Sequence, residues 1–267
     1  MDKEKFTANP YNKNNKLIQY SDIINILNKH NINDFKINNI QTYQSAFIQK
    51  SYCKLKDYEV YKNIDNSLKL QEISYETLEF LGDSILGAII SDYLYQRYYE
   101  LYRVSEGFLT KMKNKIVNGT MLGYLSDKLN LNEFMVISEY IENQCNGRNN
   151  ERILEDIFEA FIGAIFLDTK DYNLIKQFII NIIELYIDFS DLIINDTNYK
   201  DQLLRYFQNN KTGQPKYEVI FENNKYKSTV YTNNPKKVFY ETGYGSTKKK
   251  SEQESAKNTL IKIGILN

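Results

Sequence analysis

Apolar residues recur at helical spacing along most of the chain, until about Phe189. Strand signals are few in this stretch, and only one proline, Pro10, comes before Pro215. The pattern therefore predicts a helical domain over residues 17–188. The polar, Asn-rich residues 1–16 are predicted to be disordered.

The pattern changes beyond residues 189–197, which we interpret as a linker. A short helix is followed by three stretches of strand-like alternation and then by a lysine-rich helix. Ser246 or Thr247 stands where it would cap that last helix. Residues 198–267 are thus predicted to form a small α-β-β-β-α domain, and the chain as a whole to be mostly α.

Composition excludes several classes of protein. No apolar run reaches the roughly 18 residues that a membrane-spanning helix needs, and the polar N-terminus lacks the hydrophobic region of a secretory signal. We therefore expect an intracellular protein, located in the cytoplasm, with no membrane partner. The single histidine, His30, argues against a His-ligated metal site and a Ser-His triad. Cys53 and Cys145 match no zinc spacing and are interpreted as ordinary thiols.

Charge is distributed unevenly, although the net charge is zero. Residues 197–267 contain 13 Lys and Arg against 6 Asp and Glu, and the rest of the chain carries the opposite excess. A basic module beside an acidic body indicates a polyanionic partner for the C-terminal part. Chance segregation of charge is the alternative.

Carboxylates interrupt two otherwise apolar helical stretches. Glu79 and Asp83 are four residues apart and share one face of the first stretch, with Glu76 one turn earlier. The second stretch carries Asp156 and Glu159, three residues apart. Buried helices rarely contain so many acidic side chains without a reason.

Glycines suggest how these two stretches would meet. Gly82 and Gly87 in the first stretch and Gly163 in the second are poor helix formers, and the usual reason for them is the close approach of another helix. If the helices pack through these small residues, the four carboxylates converge. Such carboxylates must protonate, pair with cations or bind a metal. Oxygen ligands without histidine favour Mg²⁺ or Mn²⁺.

The alternative is that each carboxylate pairs with a basic side chain, for which Arg148 and Arg152 are close in sequence. For one helix alone, the ion-pair interpretation would be preferred. Two such helices together with a basic module favour the metal site.

The sequence ETLEFLGDSIL, residues 76–86, resembles the signature of the ribonuclease III family. Further segments resemble blocks of that family in the family's order: AFIQKSY at 46–52, EGFLTKMKNKIVN at 106–118 and GRNNERILEDIFEAFIGAIFLD at 147–168. The resemblance continues into a double-stranded-RNA-binding domain at residues 198–263. It implies an all-helical ribonuclease III endonuclease domain followed by that small RNA-binding domain.

The resemblance also implies an activity and a set of site residues. The activity is cleavage of double-stranded RNA by two-metal-ion hydrolysis, with Mg²⁺ or alternatively Mn²⁺, leaving 5′-phosphates, 3′-hydroxyls and short 3′ overhangs. The implied metal ligands are Glu79, Asp83, Asp156 and Glu159. Glu76 and Glu106 match further acidic positions with supporting catalytic roles. Phe80 falls where the family packs an aromatic across a homodimer interface, although in isolation it would be interpreted as ordinary core.

The lysine-rich helix matches the part of the RNA-binding domain that faces phosphates. The residues expected to contact RNA are Ser246, Thr247, Lys248, Lys249 and Lys250. Lys111, Lys113 and Lys115 are candidates for further phosphate contacts, with a solvated face as the alternative.

Three features depart from the usual RNA-binding domain. The loop at 222–225 is short and lacks histidine, and Arg205 occupies the place of a frequent Glu. Ser251 and Ser255 stand where alanine is common. We therefore expect weaker and more salt-sensitive binding.

Two other functions stay open at this point. The protein could keep the fold and sequester double-stranded RNA without cutting it, or it could be a structural component of a ribonucleoprotein. Because the acidic positions of the family are all filled, the sequence favours the endoribonuclease.

Overall fold

The structure is a computed structural model of the 267-residue chain, and it describes residues 8–63, 66–194, 198–211, 213–233 and 236–266. The chain divides into two compact units, Met1–Phe189 and Ser190–Asn267. None of the described helices combines the length and the apolar character needed to cross a membrane.

The first unit is helical, as the periodicity predicts. Its helices are α1 (Tyr20–Lys29), α2 (Ile40–Ser45), α3 (Glu76–Leu94), α4 (Glu106–Ile116), α5 (Gly119–Lys128), α6 (Glu139–Gln144), α7 (Glu151–Thr169) and α8 (Tyr172–Tyr186). A six-residue π-helical segment, Tyr95–Glu100, extends α3. Side chains that accept a backbone N–H begin several of these helices, among them Ser105 at α4 and Asn150 at α7.

Helix α7 lies at the centre of this unit. Its residues from Ile157 to Ile165 are all buried, because apolar side chains occupy every face of this part of the helix. Helices α2, α3, α5 and α8 all contact it. A carboxylate on α7 is therefore held in an apolar environment unless it lies at the rim of the core.

The N-terminal segment differs from its prediction. Asn12 and Asn15 are buried, and both side-chain amides donate to the carbonyl oxygen of Ile137. These hydrogen bonds anchor a polar segment that has no apolar periodicity. The prediction of disorder therefore fails for residues 8–16, and residues 1–7 lie outside the described part of the chain.

The segment interpreted as a linker is partly helical. Helix α9 (Phe189–Ile194) occupies most of it, and residues 195–197 lie outside the described part. Phe189 is buried, and the guanidinium of Arg97 lies 4.5 Å from the centre of its ring. This aromatic contact explains why the helical unit extends to Phe189.

The second unit has the predicted α-β-β-β-α order. Its elements are α10 (Tyr199–Asn209), β1 (Lys216–Glu222), β2 (Lys225–Asn233), β3 (Lys237–Gly245) and α11 (Lys248–Lys262). The strands form one antiparallel sheet in the order β1-β2-β3. Both helices pack on one core, formed by Leu203, Phe207, Val230, Ala256 and Leu260.

Candidate active site

Helices α3 and α7 cross with their backbones in contact. A Cβ atom on Gly82 would overlap the carbonyl oxygen of Glu159 and would lie 3.0 Å from the amide nitrogen of Gly163. A Cβ atom on Gly163 would likewise overlap the carbonyl oxygen of Leu78. Only glycine permits this approach, so the glycine prediction holds for these two positions. Gly87 instead faces the side chain of Lys113, whose Nζ would be 3.6 Å from an added Cβ.

The crossing brings the acidic faces of the two helices together. Glu159 is only 7% exposed. Burial, followed by the negative charges of Asp83, Glu155, Glu79 and Asp156, together raise the pKa of its carboxyl to about 8. These groups therefore lie close enough to repel one another through a poorly solvated environment.

The pKa values of two neighbouring carboxylates are raised as well. Burial raises the pKa of Glu79, and the charge of Asp156 adds to this effect. Burial also raises the pKa of Asp156, against the opposing effects of a hydrogen bond from Tyr75 and of the Arg152 charge. Asp83 is exposed at the edge of the group.

Glu155 belongs to the same group, although the sequence analysis did not select it. Burial and the charge of Asp156 raise its pKa. Its carboxylate packs against the start of α5, where a Cβ atom on Gly119 would lie 2.5 Å from Oε2. The signal was available, because Glu155 precedes Glu159 by one helical turn and shares its face. We call these five residues, Glu79, Asp83, Glu155, Asp156 and Glu159, the carboxylate cluster.

Two other predicted acidic residues are outside the carboxylate cluster, although the charge of Glu76 contributes to the raised pKa of Glu79 and of Asp156. Glu76 is exposed, and its carboxylate forms an ion pair with Lys50 at 3.2 Å, so its pKa is lowered. Glu106 is the first residue of α4, where its carboxylate accepts a hydrogen bond from Thr110 at 2.7 Å. Neither is among the main charges acting on Glu159.

The predicted alternative, in which Arg148 and Arg152 form ion pairs with the carboxylates, is not observed. Arg148 donates to the carbonyl oxygens of Asn132 and Met135 and pairs with Glu142 at 3.2 Å. Arg152 affects Asp156 and Glu155 only through its charge. Among the described residues, no basic side chain forms an ion pair with Glu79, Asp83, Asp156 or Glu159.

The donor chemistry of the carboxylate cluster fits a hard divalent cation. All its ligand atoms would be carboxylate oxygens, and a cation would offset the repulsion that, together with burial, raises the pKa values of Glu79, Glu155, Asp156 and Glu159. As the side chains lie, no three described acidic, histidine or cysteine side chains are close enough together to hold an ion. Metal binding therefore requires that at least some of these carboxylates change orientation.

An open cleft of about 390 Å³ adjoins the carboxylate cluster. Its polar lining includes Tyr75, Glu79, Asp156, Lys50 and Arg152. Solvent and a polyanion can therefore reach two of the carboxylates from a side that also carries two cations.

Two family models match the chain. Residues 40–185 match the family model described as Ribonuclease-III-like, and residues 199–263 match the Double-stranded RNA binding motif. The chain belongs to the ribonuclease III family of endoribonucleases. It is 41% identical over 199 residues to a protein named "Probable ribonuclease 3" from Acanthamoeba polyphaga mimivirus. That match covers 72% of this chain and 35% of the mimivirus protein, so the chain spans about a third of that relative.

A bacterial relative matches over most of its length. The Ribonuclease 3 of Staphylococcus haemolyticus is 31% identical over 234 residues, which cover 86% of this chain and 87% of that protein. Among solved structures, the nuclease domain of ribonuclease III from Campylobacter jejuni aligns with a TM-score of 0.48 and 26% identity, over 61% of this chain and 96% of that chain.

The residues expected to contact RNA lie at the start of α11. Thr247 caps this helix by accepting a hydrogen bond from the backbone N–H of Lys250 at 3.2 Å. Lys248, Lys249 and Lys250 are exposed, as is Ser246. The prediction of a cap at Ser246 or Thr247 is thus confirmed at Thr247.

The departures of the RNA-binding domain have structural explanations. Asn223 and Asn224 have φ values of 50° and 59° and form a two-residue β1–β2 hairpin, so this loop has little reach. Arg205 pairs with Asp201 at 2.7 Å. Ser251 and Ser255 are buried beside Gly245 and Gly243, where the strand backbone lies against α11. Their hydroxyls donate to the carbonyl oxygens of Lys248 and Glu252. These serines are therefore compatible with the fold.

Phe80 is not part of the core. Its side chain is 76% exposed on α3, close to the carboxylate cluster in sequence. The ring is therefore accessible to another molecule. The three lysines of α4 are half-buried.

Proposed function

We propose that the protein is an endoribonuclease that cleaves double-stranded RNA by two-metal-ion hydrolysis of phosphodiesters. Its products would carry 5′-phosphates and 3′-hydroxyls with short 3′ overhangs. The observation that carries the proposal is the contact of α3 and α7 at Gly82 and Gly163, because it gathers carboxylates that have no basic partner among the described residues. Family membership and the RNA-binding motif support the choice of substrate.

The metal ligands we assign are Glu79, Asp83, Asp156 and Glu159, with Mg²⁺ as the natural ion and Mn²⁺ as a substitute. When bound, two such ions supply an activated water and stabilise the charge on the leaving 3′-oxygen. The raised pKa of Glu159 means that this side chain gives up a proton when a cation binds. We assign Glu76 and Glu106 supporting roles outside the set of ligands.

Duplex RNA would be held by the start of α11. Ser246, Thr247 and the three exposed lysines would face phosphates across a groove. The short Asn223–Asn224 hairpin supports a binding mode in which phosphate contacts dominate over minor-groove contacts.

Cleavage of both strands would require two copies of the chain. We assign the dimer contact to the face of α3 that carries Phe80, since burying this ring would remove a large apolar surface from water. Each subunit would then cut one strand.

The test is incubation of the full chain with a long RNA duplex, with Mg²⁺ or with a chelator, followed by mapping of the product ends. We expect Mg²⁺-dependent cleavage of the duplex and not of single-stranded RNA. Glu159→Gln should bind RNA normally and lose cleavage, whereas Glu100→Gln, at an exposed position, should cut normally. Tight binding without cleavage under every metal condition would identify a sequestering protein instead.

A further inference from the structure

A buried tyrosine holds one carboxylate of the cluster. The hydroxyl of Tyr75 donates a hydrogen bond to Oδ2 of Asp156 at 2.8 Å. Tyr75 is 4% exposed. Within the described part of the chain, Tyr75 is the residue that donates to this carboxylate.

The backbone of Tyr75 is fixed at both sides. Its N–H donates to the carbonyl oxygen of Ile48 at 2.9 Å. Its carbonyl oxygen accepts from the amides of Leu78 and Glu79, which begins α3. The hydroxyl therefore projects from a rigid junction, and it can fix the orientation of the group that it contacts.

The hydrogen bond occupies only one of the two carboxylate oxygens of Asp156. Oδ2 is used by Tyr75, and Oδ1 is left for another partner. Both residues line the open cleft, so a cation that enters from solvent can reach this carboxylate. A neutral hydroxyl suits this place, because a basic partner would compete with the cation for the carboxylate charge.

We propose that Tyr75 is a positioning residue that orients Asp156 for monodentate binding of a divalent cation through Oδ1. The inference rests on the proposed metal-dependent function. It adds a residue outside the set of ligands, which acts through Asp156 and touches neither the cation nor the RNA.

The same helix offers a matched control. Tyr43, which is fully buried, donates to Oδ2 of Asp168 at 3.0 Å, near the C-terminal end of α7. Asp168 also accepts from the amides of Asn38 and Asn39, so this pair anchors the start of α2. Tyr43→Phe and Tyr75→Phe thus remove the same chemical contact from the same helix, and only one of these contacts involves the carboxylate cluster.

The experiment measures Mn²⁺ binding to the full chain without RNA, by calorimetry or by the electron paramagnetic resonance of free Mn²⁺. Phenylalanine keeps the buried ring, so both variants should fold and lose similar thermal stability. We expect Tyr75→Phe to raise the Mn²⁺ Kd about tenfold and Tyr43→Phe to leave it unchanged. In duplex cleavage, Tyr75→Phe should raise the Mg²⁺ concentration for half-maximal rate and retain most of the rate at saturation.

The outcomes separate the two hypotheses. If the wild-type protein binds Mn²⁺ and both variants have its Kd, the role of Tyr75 is wrong and the metal assignment stands. If the wild-type protein binds no Mn²⁺ and Glu159→Gln cuts duplex RNA at the normal rate, the metal assignment is wrong. The proposed role of Tyr75 is then wrong as well, because it depends on that assignment.

Discussion

Gly82 on α3 faces the backbone carbonyl of Glu159 on α7 so closely that no side chain fits between them. Gly82→Ala should therefore push the helices apart and destabilise the protein by about 3 kcal/mol, with loss of cleavage. The control is Gly87→Ala, where the added methyl would have ordinary contact with Lys113. This control should be neutral or stabilising by up to about 1 kcal/mol. Thermal unfolding of both variants checks the prediction, and an equally stable Gly82→Ala would contradict the crossing.

The pKa of Glu159 predicts an unusual pH dependence in the presence of a chelator. The folded carboxyl has a pKa of about 8, above the ordinary value of 4.5, so between these values the folded state binds a proton that the unfolded state lacks. Stability should therefore fall as pH rises through this window, by at most about 1.4 kcal/mol per pH unit.

Glu159→Gln provides the comparison for that effect. It removes the titrating group and should flatten this part of the curve, because all other groups contribute to both proteins. The measurement is the difference in free energy of unfolding between the two proteins from pH 5 to pH 8. A difference that does not change with pH would show that Glu159 is ionised throughout.

Divalent cations should stabilise the wild-type protein. A ligand that binds only the folded state at a hundred times its Kd adds about 2.7 kcal/mol to the free energy of unfolding. The double variant Asp83→Asn, Glu159→Gln should show no such gain, because it loses two of the four assigned ligands. Unfolding in Mn²⁺ and in chelator gives the answer, and an equal gain in both proteins would place the ions elsewhere.

Phe80 predicts the oligomeric state. Phe80→Glu should produce a folded monomer, because a charge cannot be buried in an apolar contact without a partner. The variant subunit should unfold at nearly the same temperature as a wild-type subunit studied under conditions where it is monomeric, since the ring is 76% exposed within the subunit. Leu185→Glu, at another exposed apolar position, on α8, should keep the wild-type state. Sedimentation compares the three proteins, and a Phe80→Glu dimer would refute the assigned contact.

The lysines of α11 predict the salt dependence of RNA binding. Replacing Lys248, Lys249 and Lys250 by glutamine should weaken duplex binding and reduce the slope of log affinity against log salt by about one unit per lysine. Lys262→Gln is the control, because Lys262 lies in the last turn of the same helix and pairs with Glu241. Binding is measured in chelator to prevent cleavage. An unchanged slope in the triple variant would exclude these phosphate contacts.

Much of the fold was accessible from local patterns. The helical unit and the α-β-β-β-α order follow from the spacing of apolar residues, which burial of one face imposes on each element. The glycines at 82 and 163 were informative because few other reasons explain glycine inside a helix. Gly87 shows the limit of that signal, since its neighbour is a lysine side chain and not a helix backbone.

Contacts between distant parts of the chain were not accessible. Asn12 and Asn15 anchor a polar segment on Ile137, a residue more than a hundred positions away. The spacing of apolar residues along the sequence cannot predict such a contact. The ion pair of Lys50 with Glu76 is of the same kind, and it lowers the pKa of Glu76, which lines the cleft beside Glu79 and Asp156.

The order of acidic and small residues along α3 and α7 specified, without any structure, which side chains share a helix face and where the helices can touch. Their environment was settled by packing. Burial depends on the neighbours that the fold supplies, and burial is the main cause of the raised pKa values of Glu159 and Glu155. The hydroxyl of Tyr75 reaches Asp156 for the same reason, because two residues 81 positions apart meet only when the helices cross.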